Sequence, residues 1–192
     1  MIISPEIQDM IILSSLNGEK CNVILDLDNT LISAIEYDKL NNTYRNTNLK
    51  HHVFDKSFII FERPHVQKFL DFLFKNFNVS VWSAGTKDYV LFIVKNVIQT
   101  SPSRKIHTIL HYDHCLMSSK FFPNTPKDLR FLYSIIKGFK KSNTFIIDDL
   151  DEVYMAQPSN CVQVPRFDLE SDPHNIGDNT LVILKNNLSK LI

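Results

Sequence analysis

Only four glycines and eight prolines punctuate the 192 residues, and no repeat or low-complexity block appears, which excludes a repeat array or a flexible linker protein. Cysteine is scarce too. Cys21, Cys115 and Cys161 are an odd, widely spaced set, which excludes a disulfide framework and implies free thiols in a reducing compartment, cytoplasmic or nuclear. Net charge is absent: 21 basic residues balance 21 acidic ones, so no global basic field drives nucleic-acid binding and no acidic tail is present. The apolar runs, such as 90–94, are far too short to span a bilayer. The opening MIISPEIQDM has no basic segment and reaches an acid by position 6, which reads as no secretory signal.

What is abundant is apolar: 44% of the chain is hydrophobic and fourteen residues are phenylalanine, enough for a sizeable core in one domain over 1–192. Low glycine with much Asn, Ile and Lys points to an A+T-rich coding genome, such as that of a parasite or a large DNA virus. Residues 5–14 predict a short helix within an N-terminal extension, 1–20. Residues 22–27 form a continuous apolar run ending in acids, the pattern of a buried parallel strand. Residues 33–60, polar in the middle and alternating at the end, predict a hairpin-like insertion with a mobile tip. Pro64 is expected at the first position of a helix over 64–77. A second strand, 79–82, is followed by a helix capped by Thr86 and running to about 98. Residues 106–112 read as a third strand. Thr125 to Asp128 read as a capping arrangement that places Lys127 in a first helical turn, with Gly138 after that helix. Residues 144–147 predict a fourth strand, 161–164 a short fifth, and a last helix starts near 179. Strands alternating with helices predict an α/β, Rossmann-like fold, a central parallel sheet with helices on both faces.

In such sheets chemistry gathers at the carboxyl ends of the strands. Asp26 and Asp28 follow the first strand, Ser83 the second, and Asp148 and Asp149 the fourth. Singly, each could be a turn or cap residue. Together, several carboxylates at one sheet edge need a cation to offset their repulsion, and oxygen ligands favour Mg²⁺. A metal, a free carboxylate, a hydroxyl and the Lys127 ammonium suit a phosphoryl group. His107, His111, Asp113, His114 and Cys115 imitate a zinc cluster, but their spacing fits no closed template.

DLDNTL, 26–31, resembles the DxDx(T/V) motif of the haloacid dehalogenase superfamily, in its branch of RNA polymerase II carboxy-terminal-domain (CTD) phosphatases. ERPHVQKFLDFL, VWSAGTKDYV, PKDL and FIIDDLDEVYMAQPSNCVQV resemble, more narrowly, segments of the small CTD phosphatases, also called NLI-interacting-factor-like phosphatases. The likeness covers about 20–190. It implies that Asp26 is a nucleophile forming an aspartyl-phosphate and that Asp28 is the general acid and base. It implies Mg²⁺ on Asp26, the Asp28 carbonyl and Asp149, phosphoryl contacts from Thr30, Ser83 and Lys127, and Asp148 orienting Lys127 or a metal-bound water. Three departures stand out: Ser83 where Thr is usual, Asp149 where Asn is common, and Tyr112 about where a substrate-contacting Arg falls.

The expected activity is a phosphoserine/phosphothreonine protein phosphatase with no large cap domain. Its substrate would be a phosphorylated protein segment, Ser-Pro-containing by resemblance, with no direct nucleic-acid partner. Phe54, Phe58 and Ile60 of the insertion, with Tyr89 and Tyr112, would wall its cleft. Two other readings share the same residues: a phosphatase of small molecules or nucleic-acid ends, and a non-catalytic binding module on this fold.

Overall fold

The computed structural model describes residues 2–39, 47–123 and 125–192. A five-stranded, all-parallel sheet runs β6-β5-β1-β7-β8, built from β1 (Asn22–Leu25), β5 (Asn78–Trp82), β6 (Ile109–Leu110), β7 (Thr144–Asp148) and β8 (Cys161–Gln163). The first strand is central. The chain moves outward on one side through β5 and β6, then crosses to the other side for β7 and β8. This reversal beside β1 is a topological switch point, where open α/β sheets bind ligands.

Alternation along the buried strands divides the core into two layers. Val23, Leu25, Val79, Val81, Phe145 and Ile147 face one side. There they meet α1 (Pro5–Leu16), α2 (Val66–Asn76), α3 (Lys87–Ile93) with its π-helical continuation Val94–Ile98, and α7 (Thr180–Ser189). Ile24, Trp82 and Ile146 face the other, with α4 (Tyr112–Phe121), α5 (Leu129–Ile135) and α6 (Asp151–Ala156). Helix α1 starts on a Ser4 cap with Pro5 in its first turn and buries Ile7, Met10 and Ile11 in the first layer.

The insertion is a separate antiparallel sheet of three strands rather than a bare hairpin. Its order is β2-β4-β3, from β2 (Ile32–Glu36), β3 (His51–Phe54) and β4 (Phe58–Glu62). Ile59 faces a small core with Ile35, Phe61, Phe167 and Leu169, while Ile60 faces the main core. The expected mobile tip involves 40–46, which lie outside the described residues.

Three local expectations are corrected. Helix α2 begins at Val66, not Pro64, because His65 takes a left-handed φ of 67° and Val66 N–H closes a turn onto Arg63 C=O at 3.1 Å. The third strand is only two residues, and Tyr112 opens a helix instead. That helix exposes Leu116, Met117 and Phe121, so no polar face reveals its period. Lys127 lies just before its helix rather than in the first turn, since Asp128 is the cap, accepting from Arg130 N–H at 2.8 Å.

Candidate active site

Parallel register sets the first relationship. Leu25 lies opposite Ile147, so the residues that follow, Asp26 and Asp148, stand side by side at the sheet edge. Asp26 N–H continues the ladder onto Ile147 C=O at 3.0 Å, and both carboxylates are buried. Lys127 Nζ donates to Asp26 Oδ1 and, at 2.8 Å, to Asp148 Oδ2. Burial alone would lower the Lys127 pKa, but the two carboxylates more than reverse it and keep the ammonium charged. Asp148 Oδ1 accepts Leu150 N–H at 2.9 Å, so this carboxylate is fully used as a support. Its pKa is raised, by burial first and by Asp26 next.

After Asp26 the chain winds about Leu27, whose carbonyl accepts from Thr30, Leu31 and Ile32 N–H at 3.2, 2.8 and 3.1 Å. Asn29 takes the left-handed turn at φ 60°, a conformation asparagine tolerates. This winding turns Thr30 Oγ1 toward Asp149 Oδ1, 3.3 Å away. The other Asp149 oxygen is buried without a hydrogen bond, with Arg166 Nη1 at 3.8 Å. Burial raises the Asp149 pKa, helped by Asp26 and opposed by Arg166.

Oxygens of Asp26, Asp148 and Asp149 all lie within 4.8 Å of one another. A clustered all-carboxylate donor set with an orphaned buried oxygen fits a hard divalent cation such as Mg²⁺.

Asp28 crosses to the other lip. Its Oδ1 accepts Tyr89 Oη at 2.5 Å, and Ser83 Oγ stands 3.5 Å from Oδ2 while accepting Gly85 N–H at 2.9 Å. Burial pushes the Asp28 carboxyl up to about 6, against the opposing Tyr89 hydrogen bond.

The structure thus brings Asp26, Asp28, Thr30, Ser83, Lys127, Asp148 and Asp149 into one place. It does not make the expected wall as drawn. Ile60 is fully buried, because it is an inward position of β4. Tyr89 turns its hydroxyl inward onto Asp28, and Tyr112 is an exposed helix start, bonded through its N–H to Gly85 C=O at 2.9 Å. Phe54 and Phe58 are half-buried. The histidine cluster is a cap: His114 Nδ1 accepts His111 N–H at 3.1 Å. Arg63 and Arg166 escaped the sequence reading. For Arg63 the signal was a cation directly after an apolar strand and before a proline.

The family model of NLI interacting factor-like phosphatases matches residues 21–192. A CTD phosphatase-like protein, 355R, of Invertebrate iridescent virus 6 is 40% identical over 179 residues, covering 88% of this chain and 97% of the relative. Its counterpart in Invertebrate iridescent virus 3 is 36% identical over 181 residues, covering 90% and 97%. Among solved structures, the RNA polymerase II CTD phosphatase Fcp1 superposes with a TM-score of 0.58 at 20% identity, over 93% of this chain and 55% of that one. A fission yeast Fcp1 variant with beryllium fluoride bound gives 0.57 at 21% identity, over 93% and 52%. The chain spans about half the length of those solved chains, and the likeness is one of haloacid dehalogenase fold. By the match along most of its length, the chain belongs to the NLI interacting factor-like phosphatase family.

Proposed function

We propose that the protein is a Mg²⁺-dependent phosphatase of phosphoserine and phosphothreonine in protein segments, acting through an aspartyl-phosphate. The carrying observation is the buried Asp26 carboxylate, ion-paired to Lys127, with Asp28 two residues on across the mouth. An Asp26 oxygen attacks phosphorus and the substrate P–O bond breaks. Asp28, protonated, passes its proton to the departing alkoxide. As a carboxylate it then takes a proton from the water that attacks phosphorus, the Asp26 O–P bond breaks, and phosphate leaves with the Asp26 carboxylate restored. Thr30, Ser83 and Lys127 hold phosphoryl oxygens, and Asp148 keeps Lys127 aimed. Asp26, the Asp28 main-chain carbonyl and Asp149 are the residues to hold Mg²⁺, which when bound offsets phosphoryl charge.

The whole chain acts as one phosphatase unit, with 1–20 as a helical extension and 33–60 as an insertion. Viral relatives of nearly equal length support a virus-encoded enzyme acting on a host-cell phosphoprotein, in a reducing compartment that suits three buried, unbridged cysteines. The test is hydrolysis of an aryl phosphate and a phosphopeptide panel, with Mg²⁺ and with chelator. Turnover of phosphopeptides that requires Mg²⁺ is expected; no turnover of either substrate would overturn the reading.

A further inference from the structure

Asp28 is gripped from outside its own loop, and the grip traces back to the insertion. Helix α3, capped by Thr86, carries both Tyr89 and Phe92. The Tyr89 ring lies over Gly85, where an added Cβ would stand 2.6 Å from Tyr89 Cδ1, so the absent side chain at Gly85 makes room for the ring. Phe54 of β3 meets the Tyr89 ring edge-on at 5.3 Å and Phe92 at 5.2 Å. Two contacts therefore connect the insertion sheet to the carboxylate: Phe54 to Tyr89, and Tyr89 Oη to Asp28 Oδ1.

We infer that Tyr89 is a positioning residue for Asp28, and that Phe54 couples this positioning to the side chain flanking the phosphoresidue. The phenol O–H donates to Oδ1 and so reserves that oxygen as an acceptor. The transferable proton then sits on Oδ2, where the Ser83 hydroxyl, at 3.5 Å, is a far weaker donor. When the P–O bond breaks, that proton moves from Oδ2 to the alkoxide oxygen while Asp26 bonds to phosphorus. An apolar residue resting against Phe54 presses the Tyr89 ring toward Gly85 and keeps Asp28 in this orientation. The inference rests on Asp28 being the general acid.

The experiment uses leaving groups that differ in their need for a proton. A serine alkoxide must be protonated as it departs, whereas 2,4-dinitrophenolate leaves without help. In Tyr89→Phe, the ratio of kcat on a phosphoserine peptide to kcat on 2,4-dinitrophenyl phosphate is expected to fall on the order of tenfold, with KM for both little changed. Gly85→Ala, which displaces the ring but keeps the phenol, should lower the ratio in the same direction. Asp28→Asn should lower it further. Equal losses on both substrates in Tyr89→Phe, or a change in KM alone, would overturn the inference if Asp28→Asn remains selective. A non-selective Asp28→Asn would overturn the general-acid reading and the inference with it. Should Gly85→Ala fail to fold, Tyr89→Phe decides alone, since it removes one oxygen and keeps the ring.

Discussion

Arg63 and Asp178 form a two-pronged pair, Nε to Oδ1 at 2.9 Å and Nη2 to Oδ2 at 2.8 Å. Arg63 is fully buried over the Phe167 ring, and its remaining donors reach Thr30 C=O at 2.9 Å and Pro165 C=O at 2.8 Å. One side chain thus ties the loop of Asp28 and Thr30 to the Arg166 segment and to the start of α7. Arg63→Ala leaves Asp178 without its counter-ion, held only by Thr180, and two carbonyls unpaired, and should cost about 3–5 kcal/mol in a urea melt. Arg63→Lys, which lacks the planar fork, should recover only part of it. Burial raises the Asp178 pKa, but Arg63 and Thr180 more than reverse this. The pair's stabilisation is therefore present above the ordinary carboxylate value and lost as pH falls through the lowered one. A melt of Arg63→Ala indistinguishable from wild type would refute this role.

Asp26→Asn should lower turnover by about a thousandfold or more while the fold persists, because an amide cannot attack phosphorus. Its Lys127 partner keeps Asp148 at 2.8 Å, so no buried charge is left alone. Beryllium fluoride, a mimic of an aspartyl-phosphate, should inhibit wild type and not bind Asp26→Asn in ¹⁹F NMR. Residual activity above a few per cent would remove the covalent route.

Mg²⁺ should stabilise the fold by mass action, by about 2.7 kcal/mol at a hundredfold excess over Kd, and so raise the melting temperature. Asp148 and Asp149 both have raised pKa values, chiefly from burial. The metal-free fold therefore binds protons more readily than the unfolded chain, and this contribution to stability grows as pH falls through the raised values. Protons and Mg²⁺ compete for the Asp149 carboxylate, so the Mg²⁺-induced rise should be larger at pH 7.5 than at pH 5.5. Melting insensitive to millimolar Mg²⁺, with full activity in chelator, would rule out the metal.

The sheet and its chemistry were legible because buried parallel strands read as unbroken apolar runs that stop at acids. NVIL before Asp26 and TFII before Asp148 announce where the acids stand, at strand ends, though not which strands pair. The insertion was only half legible. The stretch VFDKSFIIF reads as alternating, whereas β4 within it is covered on both sides, so Ile59 and Ile60 are both buried. Helix α4 was missed because its exposed positions are apolar, and period alone cannot tell such a segment from a strand. Contacts between distant segments left no local trace. Tyr89 meets Asp28 across 61 positions and Arg63 meets Asp178 across 115.

The kcat/KM profile for a phosphoserine peptide reports the free enzyme, in which Asp28 must carry its proton to serve as acid. With that carboxyl pushed up to about 6, the rate should fall as pH rises above this value. The Tyr89 hydrogen bond favours the carboxylate, so Tyr89→Phe should move the falling limb to higher pH even as the maximum drops. A limb that stays in place would show that the phenol does not act on this ionisation.

The substrate should be an extended phosphorylated segment rather than a metabolite. Selectivity for a small molecule needs walls on all sides, and such a lid needs a core of its own. Between Thr30 and Ser83 the described chain builds only the three-stranded sheet, the 3₁₀ turn Tyr37–Lys39, α2 and β5, and the small core there is Ile35, Ile59 and Phe61 with Phe167 and Leu169 from outside it. Between α3 and Lys127 lie only the π-helical turn, β6 and α4 among the described residues. Among the described residues no separately folded lid is built, so the site is expected to be an open cleft. With Ile59 and Ile60 buried, its apolar wall reduces to the cross-strand pair Phe54 and Phe58, both half-buried. That pair is the expected contact for one small ring or aliphatic side chain beside the phosphoresidue, such as the proline of a Ser-Pro pair. Phe54→Ala should raise KM for Ser-Pro phosphopeptides several-fold and leave aryl phosphate KM nearly unchanged. The comparison that decides is kcat/KM for those peptides against sugar phosphates and nucleotides. Equal or better turnover of the metabolites would replace the protein-phosphatase reading with a small-molecule one.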